Sequence, residues 1–292
     1  MQAIRCENLT KYYGTARGIV DVNLSIDEGD FFGFIGPNGA GKSTTIRILL
    51  GLIAQSSGSA KIFEREVTAN KTELLREIGY LPSETNFYSG MRVSDILKLS
   101  AKLRGMNCDE EAKRLCERLE LDTTRRIDEL SLGNRKKVGI VCAMQHNPRL
   151  YVLDEPTSGL DPLMQREFYS ILKEKNDAGA TVFLSSHVLA EVEKYCKHAA
   201  VIRDGKIIVS DSIDRLAHTD IKLVTLRGTS EIPKIYGIKN PTVTDGAVSF
   251  LYSGDAVMLV RALGEMSFSG LTITDTELED TFMHYYEGGK EK

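Results

Sequence analysis

Apolar and polar positions alternate from the first residues onward. In Ile19–Ile26 the apolar residues Val20, Val22, Leu24 and Ile26 recur at every second position, so this run and Ala3–Leu9 before it are expected as half-buried strands. Phe31–Ile35 is almost wholly apolar, which predicts a strand covered on both faces of a sheet; Leu150–Leu153 and Thr181–Ser185 have the same character. Between these runs the period lengthens. Lys42–Gly51, Asn134–Gln145 and Met164–Asn176 read as helices, and Val93 to about Leu119 is helix-rich, with Ile96, Leu97, Leu99 and Leu103 at helical spacing. Ile78–Leu81 is a further short strand. Asp204–Gly205, set between Ala199–Arg203 and Lys206–Ser210, predicts a tight hairpin.

The pattern changes near His218. Beyond Ile221 come short strands at Lys222–Leu226, Val248–Tyr252 and Thr272–Thr274 and two helices, at about Gly254–Met266 and Glu277–Tyr286, with a turn-rich stretch, Gly237–Gly246, dividing them. Met1–Ala217 is therefore expected as an α/β domain with a helical insertion, and His218–Lys292 as a small α+β appendage.

Composition narrows the classes of function. The 292 residues are 42% hydrophobic and 27% charged, enough for a full core without staples. A net charge of -4 supplies no basic field for nucleic acid or an anionic membrane, so neither partner is expected. The five cysteines show no metal-ligand or C-x-x-C spacing, which suits a reducing compartment. No basic start leads into an apolar run, so no signal peptide is expected. No apolar stretch approaches the roughly 20 residues that cross a bilayer, so no direct membrane insertion is expected and a membrane role would run through a partner.

Three segments carry chemistry. Gly36-Pro37-Asn38-Gly39-Ala40-Gly41-Lys42-Ser43 fits G-x-x-x-x-G-K-[ST], after a buried strand and before a helix. Glycines let successive N–H groups converge on phosphate oxygens, and the helix that follows aims its positive end at the same anion. Lys42 supplies charge for the β- and γ-phosphates and Ser43 a hydroxyl for Mg²⁺. A glycine-rich turn without a ligand would share the spacing, though not this context. Leu150–Leu153 runs into Asp154 and Glu155, two carboxylates at a strand's carboxyl end. Asp154 is expected to hold Mg²⁺ through water and Glu155 to polarise an attacking water; a solvated strand end is the plainer alternative. His187, just after the apolar strand Thr181–Ser185, stands where open α/β sheets place ligand sites, able to reach the γ-phosphate or the attacking water.

The order of these segments resembles that of the ATP-binding-cassette (ABC) family. The identifying piece is Leu130-Ser131-Leu132-Gly133-Asn134, similar to the family's L-S-G-G-Q signature, followed by Arg135-Lys136-Lys137 and a helix. Ser158-Gly159-Leu160-Asp161 matches the family's next loop and Tyr13 its adenine-stacking aromatic; the likeness spans Met1–Ala217. The resemblance implies a P-loop nucleotide-hydrolase cassette, α/β with a mixed sheet and a helical subdomain at about Thr85–Gln145. It implies ATP and Mg²⁺ as cofactors, with Gly36–Thr44, Tyr13 and Asp161 holding the nucleotide. It implies that Ser131 and Gly133 complete the site of a second cassette in a head-to-tail dimer. It also implies a separate transmembrane permease as partner, and a cytoplasmic place on the inner face of the membrane through that partner. Physics suits the division, because Ser131, the Gly133 backbone and the next helix form a second anion-binding surface.

The chain departs from the pattern where the family usually has Gln. After Ile78–Leu81 it reads Pro82-Ser83-Glu84, which leaves Ser83 or Glu84 to serve Mg²⁺ there. In the signature, Leu132 and Asn134 replace a Gly and the Gln. Tyr80-Leu-Pro-Ser-Glu and the ending Leu271–His284 resemble cassettes of bacterial drug, antibiotic and polysaccharide exporters, so export is expected. Three other classes share parts of this pattern. Translation cassettes come in pairs, and repair cassettes carry long coiled coils between the two motifs; this chain has one Lys42-type loop and no sustained heptads. A regulatory nucleotide module would need neither Glu155 nor His187.

Overall fold

A computed structural model describes residues 1–68, 71–217, 221–244 and 246–275. The chain divides into two compact units, Met1–Ser210 and Asp211–Lys292.

The first unit opens with a long hairpin of strands β1 (Gln2–Tyr13) and β2 (Ala16–Asp27), then β3 (Phe31–Ile35) and helix α1 (Lys42–Leu49). Strands β4 (Ser57–Ile62) and β5 (Arg65–Glu66), helix α2 (Lys71–Arg76) and β6 (Ile78–Leu81) follow. The helical insertion holds α3 (Val93–Arg104), α4 (Asp109–Arg118) and the start of α5 (Leu132–Met144). The chain then runs through β7 (Leu150–Asp154), α6 (Pro162–Asp177), β8 (Thr181–Ser186), α7 (Leu189–Tyr195), β9 (His198–Arg203) and β10 (Lys206–Ser212).

Two sheets result. One is antiparallel, in the order β2-β1-β4-β5; the other is six-stranded, in the order β10-β9-β3-β8-β7-β6, with β9, β3, β8, β7 and β6 all parallel. A parallel strand inside such a sheet is covered on both faces, which is why β3, β7 and β8 are buried at every residue. Alternate residues Phe32 and Phe34 of β3 share one core with Ile46, Ile48 and Leu49 of α1 and with Ile4, Leu9, Val22 and Ile62 of the antiparallel sheet. Full burial of each such side chain stabilises the unit by about 1.5–3 kcal/mol before entropy is counted.

Register brings the site together. Ile35 pairs with Ser186, Asp154 with Ser185 and Leu81 with Leu153, so the parallel strands end on one edge of the sheet. Gly36, Glu155, His187 and Pro82 therefore leave the sheet side by side, although the sequence scatters them.

The second unit is considered by itself. After α8 (Ile213–Ala217) come β11 (Ile221–Arg227), β12 (Ile238–Thr244), β13 (Ala247–Ser253), α9 (Ala256–Gly264) and β14 (Gly270–Asp275). The strands form an antiparallel sheet in the order β12-β13-β11-β14. Val224, Leu226, Val248 and Phe250 pack with Leu259 and Leu263 of α9, whose first turn is capped by Asp255.

Two expectations need correction. The stretch Gly237–Gly246 is not merely a divider, because it contains β12. Pro241 disguises that strand; it is tolerated because β12 lies at the sheet's edge and its register shifts between Lys239 and Thr242. In α3, Leu103 is 75% exposed while Val93 and Ala101 join Ile96 and Leu97 in the buried face. The helix expected at Glu277–Tyr286 lies outside the described residues.

Candidate functional site

The Gly36–Thr44 loop links the end of β3 to the first turn of α1. Ala40 N–H donates to the Pro37 carbonyl at 3.2 Å, tightening the loop, and Gly41 takes a left-handed φ of 114° as the helix N-cap. A side chain there would run into Ile19, whose Cγ2 lies 2.6 Å from the site of a Cβ; at Gly36 a Cβ would sit 2.4 Å from the Ile202 carbonyl. No side chain caps α1. Its first-turn N–H groups are thus left to an anion, with the helix dipole behind them.

The loop floors a cavity of about 280 Å³ lined by Tyr13, Arg17, Gly18, Pro37, Asn38, Gly39, Gly41, Lys42, Ser43, Thr44, Ser83 and Glu155. Lys42 is buried. Its ammonium donates to the carbonyls of Gly36 (2.5 Å) and Pro37 (3.2 Å) and pairs with Glu155 Oε1 at 3.2 Å. Ser43 Oγ donates to Asp154 Oδ2 at 2.7 Å, and Ser185 Oγ donates to Asp154 Oδ1 at 2.5 Å. Asp154 is 2% exposed, and its charge adds to burial in raising the pKa of Tyr80.

Glu155 stands on a strained turn, with φ 48° and its N–H donating to the Ser185 carbonyl at 3.1 Å. The strain turns its side chain back over the loop. There Oε1 faces Lys42 and Oε2 accepts from His187 Nδ1 at 2.7 Å. That bond puts the ring proton on Nδ1 and leaves Nε2 as the free nitrogen.

Other expected site residues lie elsewhere. Tyr13 is half-exposed at the cavity wall, with Lys11 Nζ 5.4 Å from its ring centre. Ser131 is the N-cap of α5, its Oγ accepting from Asn134 N–H at 3.3 Å. Gly133 faces the Gly159 carbonyl so closely that a Cβ would come within 2.7 Å of it. Neither Ser131 nor Gly133 lines the cavity. Asp161 does not line it either; its Oδ1 accepts from Leu163 and Met164 N–H as the N-cap of α6. Of the Mg²⁺ alternatives, Ser83 lines the cavity, whereas Glu84 is exposed and lies outside the lining.

The sequence reading missed Arg17, Ser185 and Lys136. Arg17 lines the cavity and pairs with Asp204 at 2.8 Å. Ser185 follows an apolar run and gave no sign of its bond to Asp154. Lys136, in α5, is 2% exposed, and burial pushes its pKa down to about 8 against the pull of Asp154 and Glu155.

A phosphate-cradling loop on a parallel sheet, with a paired Ser and Asp and a Glu at the next strand end, defines a P-loop ATPase cassette. A model of the ABC transporter family matches residues 19–158. The bacitracin transport ATP-binding protein BcrA of Bacillus licheniformis is 34% identical over 98% of both chains. The lantibiotic transport ATP-binding protein SrtF of Streptococcus pyogenes is 35% identical over 72% of this chain and 91% of its own. Among solved structures, the ATP-binding subunit of an ABC transporter superposes with a TM-score of 0.70 at 29% identity, over 73% of this chain and 91% of its own. The chain belongs to the ABC transporter family: it is an ATP-binding, ATP-hydrolysing transporter subunit that works with a transmembrane partner. No described helix is long and apolar enough to cross a membrane.

Proposed function

We propose that this chain drives a separate permease for export of an antibiotic-like or peptide substrate, with its own residues divided between holding ATP and cleaving it. The names of its bacitracin and lantibiotic relatives support the substrate class. Attachment through that permease would place the chain on the cytoplasmic face of the membrane.

In this reading Gly36–Thr44 and Lys42 hold the phosphates and Tyr13 stacks on adenine. The pair Ser43–Asp154 suits Mg²⁺, which favours a few protein oxygens completed by phosphate and water; Ser83, which lines the same cavity, would assist. The metal supplies charge neutralisation on the phosphates. Glu155 takes the proton of the attacking water, and His187 orients the carboxylate through Nδ1 while its free Nε2 faces outward for phosphate or water. Ser131 and Gly133 serve a second cassette, since they stand apart from the cavity on an uncovered helix start. Asp161 caps α6 and so fixes the end of the loop that follows Glu155, from which it would bear on the nucleotide.

The observation that carries the reading is the Glu155 carboxylate held between Lys42 and His187 at the mouth of the phosphate loop. The experiment compares ATP binding and turnover in Lys42→Ala and Glu155→Gln. Lys42→Ala is expected to lose nucleotide affinity. Glu155→Gln is expected to keep affinity, lose turnover by about 10²–10³ and accumulate as an ATP-bound dimer. Unimpaired turnover in Glu155→Gln removes Glu155 from the chemistry.

A further inference from the structure

Lys136 is a lysine on α5, five residues beyond Ser131, and it does not reach solvent. Its ammonium has three protons, and three backbone carbonyls accept them: Pro82 at 3.1 Å, Ser83 at 2.9 Å and Glu155 at 3.0 Å. Among the described residues, no carboxylate is paired with it. An ammonium is strongly hydrated, so this burial is tolerated only because all three donors are satisfied.

The choice of partners is informative. Pro82 and Ser83 begin the segment after β6, where the usual Gln is missing and from which Ser83 reaches the cavity. The Glu155 carbonyl belongs to the residue with φ 48°, whose backbone strain sets where its carboxylate points. A single charged group therefore ties the start of the signature helix to the Ser83 segment and to the strained turn beneath Glu155. An apolar side chain at 136 would take this donor from the Pro82 and Ser83 carbonyls and leave the Glu155 carbonyl only the longer bond from Ser158 N–H at 3.4 Å. A Gln would offer two donors in place of three.

We propose that Lys136 is a positioning residue for ATP hydrolysis, holding the Glu155 turn and the Ser83 segment in mutual register so that movement of either reaches the other. It touches no substrate and acts through Glu155. The inference rests on Glu155 being the base.

The test uses the full-length chain and measures kcat and KM for ATP, melting temperature, and ATP affinity in a Glu155→Gln background. Lys136→Met is expected to lower kcat by about tenfold or more with KM within about twofold, because a small misplacement of a reacting group costs rate more than binding. Lys136→Gln is expected to recover part of that loss. Adding Lys136→Met to Glu155→Gln is expected to leave both residual rate and ATP affinity unchanged, the mark of a residue acting through Glu155. Full turnover in Lys136→Met, or rate losses that simply multiply in the double variant, would overturn the proposal. So would a KM that rises in step with the fall in kcat, which means general loosening of the nucleotide site. If Lys136→Met fails to fold, Lys136→Gln alone decides: lower kcat at unchanged KM and melting temperature supports the role, and unchanged kcat refutes it. Wild-type turnover in Glu155→Gln overturns the base assignment itself. Wild-type turnover in Lys136→Met beside an inactive Glu155→Gln overturns only the positioning role.

Discussion

Ser43 and Asp154, 111 positions apart in the chain, share a hydrogen bond of 2.7 Å between Oγ and Oδ2. The bond joins the phosphate loop to the strand that carries Glu155. Asp154 has a second fixed partner in Ser185, so its carboxylate is held from both helix α1 and strand β8 before any ligand arrives.

Replacing Asp154 with Asn should therefore damage Mg²⁺ use more than folding. We expect turnover to fall by about 10²–10³ and the Mg²⁺ dependence of ATP binding to weaken, with the melting temperature nearly unchanged. Titrating ATP affinity against Mg²⁺ checks this. An Asn variant that binds ATP with the normal Mg²⁺ dependence removes Asp154 from the metal site.

Ser131→Arg should abolish ATPase activity while a single chain still binds nucleotide, because Ser131 stands apart from the cavity of its own chain. Mixing experiments provide the check. A Ser131→Arg chain combined with a Lys42→Ala chain leaves one complete composite site, so some activity should return. No recovery, or normal hydrolysis by Ser131→Arg alone, contradicts the two-copy site.

His146 predicts a pH effect on stability. Burial, with Arg104 nearby, pushes its pKa down to about 4 from an ordinary 6.5, and Nε2 is bonded to the Ile78 carbonyl at 3.2 Å. Because the folded state resists the proton, stability from this group is complete above pH 6.5 and is lost as pH falls through about 4. The loss is on the order of 3 kcal/mol at the acid end. His146→Gln keeps a donor for Ile78 and should flatten the acid limb of the stability curve. Urea denaturation across that range measures it, and an unchanged limb would exclude His146 as its source.

Arg118 joins α4 to α6, pairing with Glu167 at 2.5 Å and Glu174 at 2.6 Å, while Arg114 reaches Glu111 at 2.8 Å and Glu174 at 3.3 Å. Half-buried networks are worth more than isolated surface pairs. Arg118→Ala should cost about 1–2 kcal/mol in low salt and less in high salt. Equal losses in both would mean the contribution is packing by the side chain's stem.

The phosphate loop and the strands around it were readable because their signals are local. Gly36–Ser43 keeps its chemistry within one turn, and Phe31–Ile35 and Ile78–Leu81 appear in the structure with those same ends. What escaped notice depends on contacts that only folding creates. Ser185 looks like the end of an apolar strand until register sets it beside Asp154. Lys136 stands in a basic run with Arg135 and Lys137 that carries no local sign of burial, yet it points inward to three carbonyls. Leu103 had helical spacing without burial, because spacing defines a stripe but not which stripe meets the core. Strand β12 was hidden by Pro241, which an edge with a register shift accommodates.

The Asp204–Gly205 turn looks like an ordinary surface hairpin, a natural place to insert a tag. Gly205 N–H, however, donates to Ala40 O at 2.9 Å, its carbonyl accepts from Val20 N–H at 2.8 Å, and Asp204 pairs with Arg17 at the cavity wall. Two residues thus splice the nucleotide loop to the first hairpin. An epitope placed there would disable the engine, whereas a small fluorophore at the same turn would make a reporter of ATP occupancy.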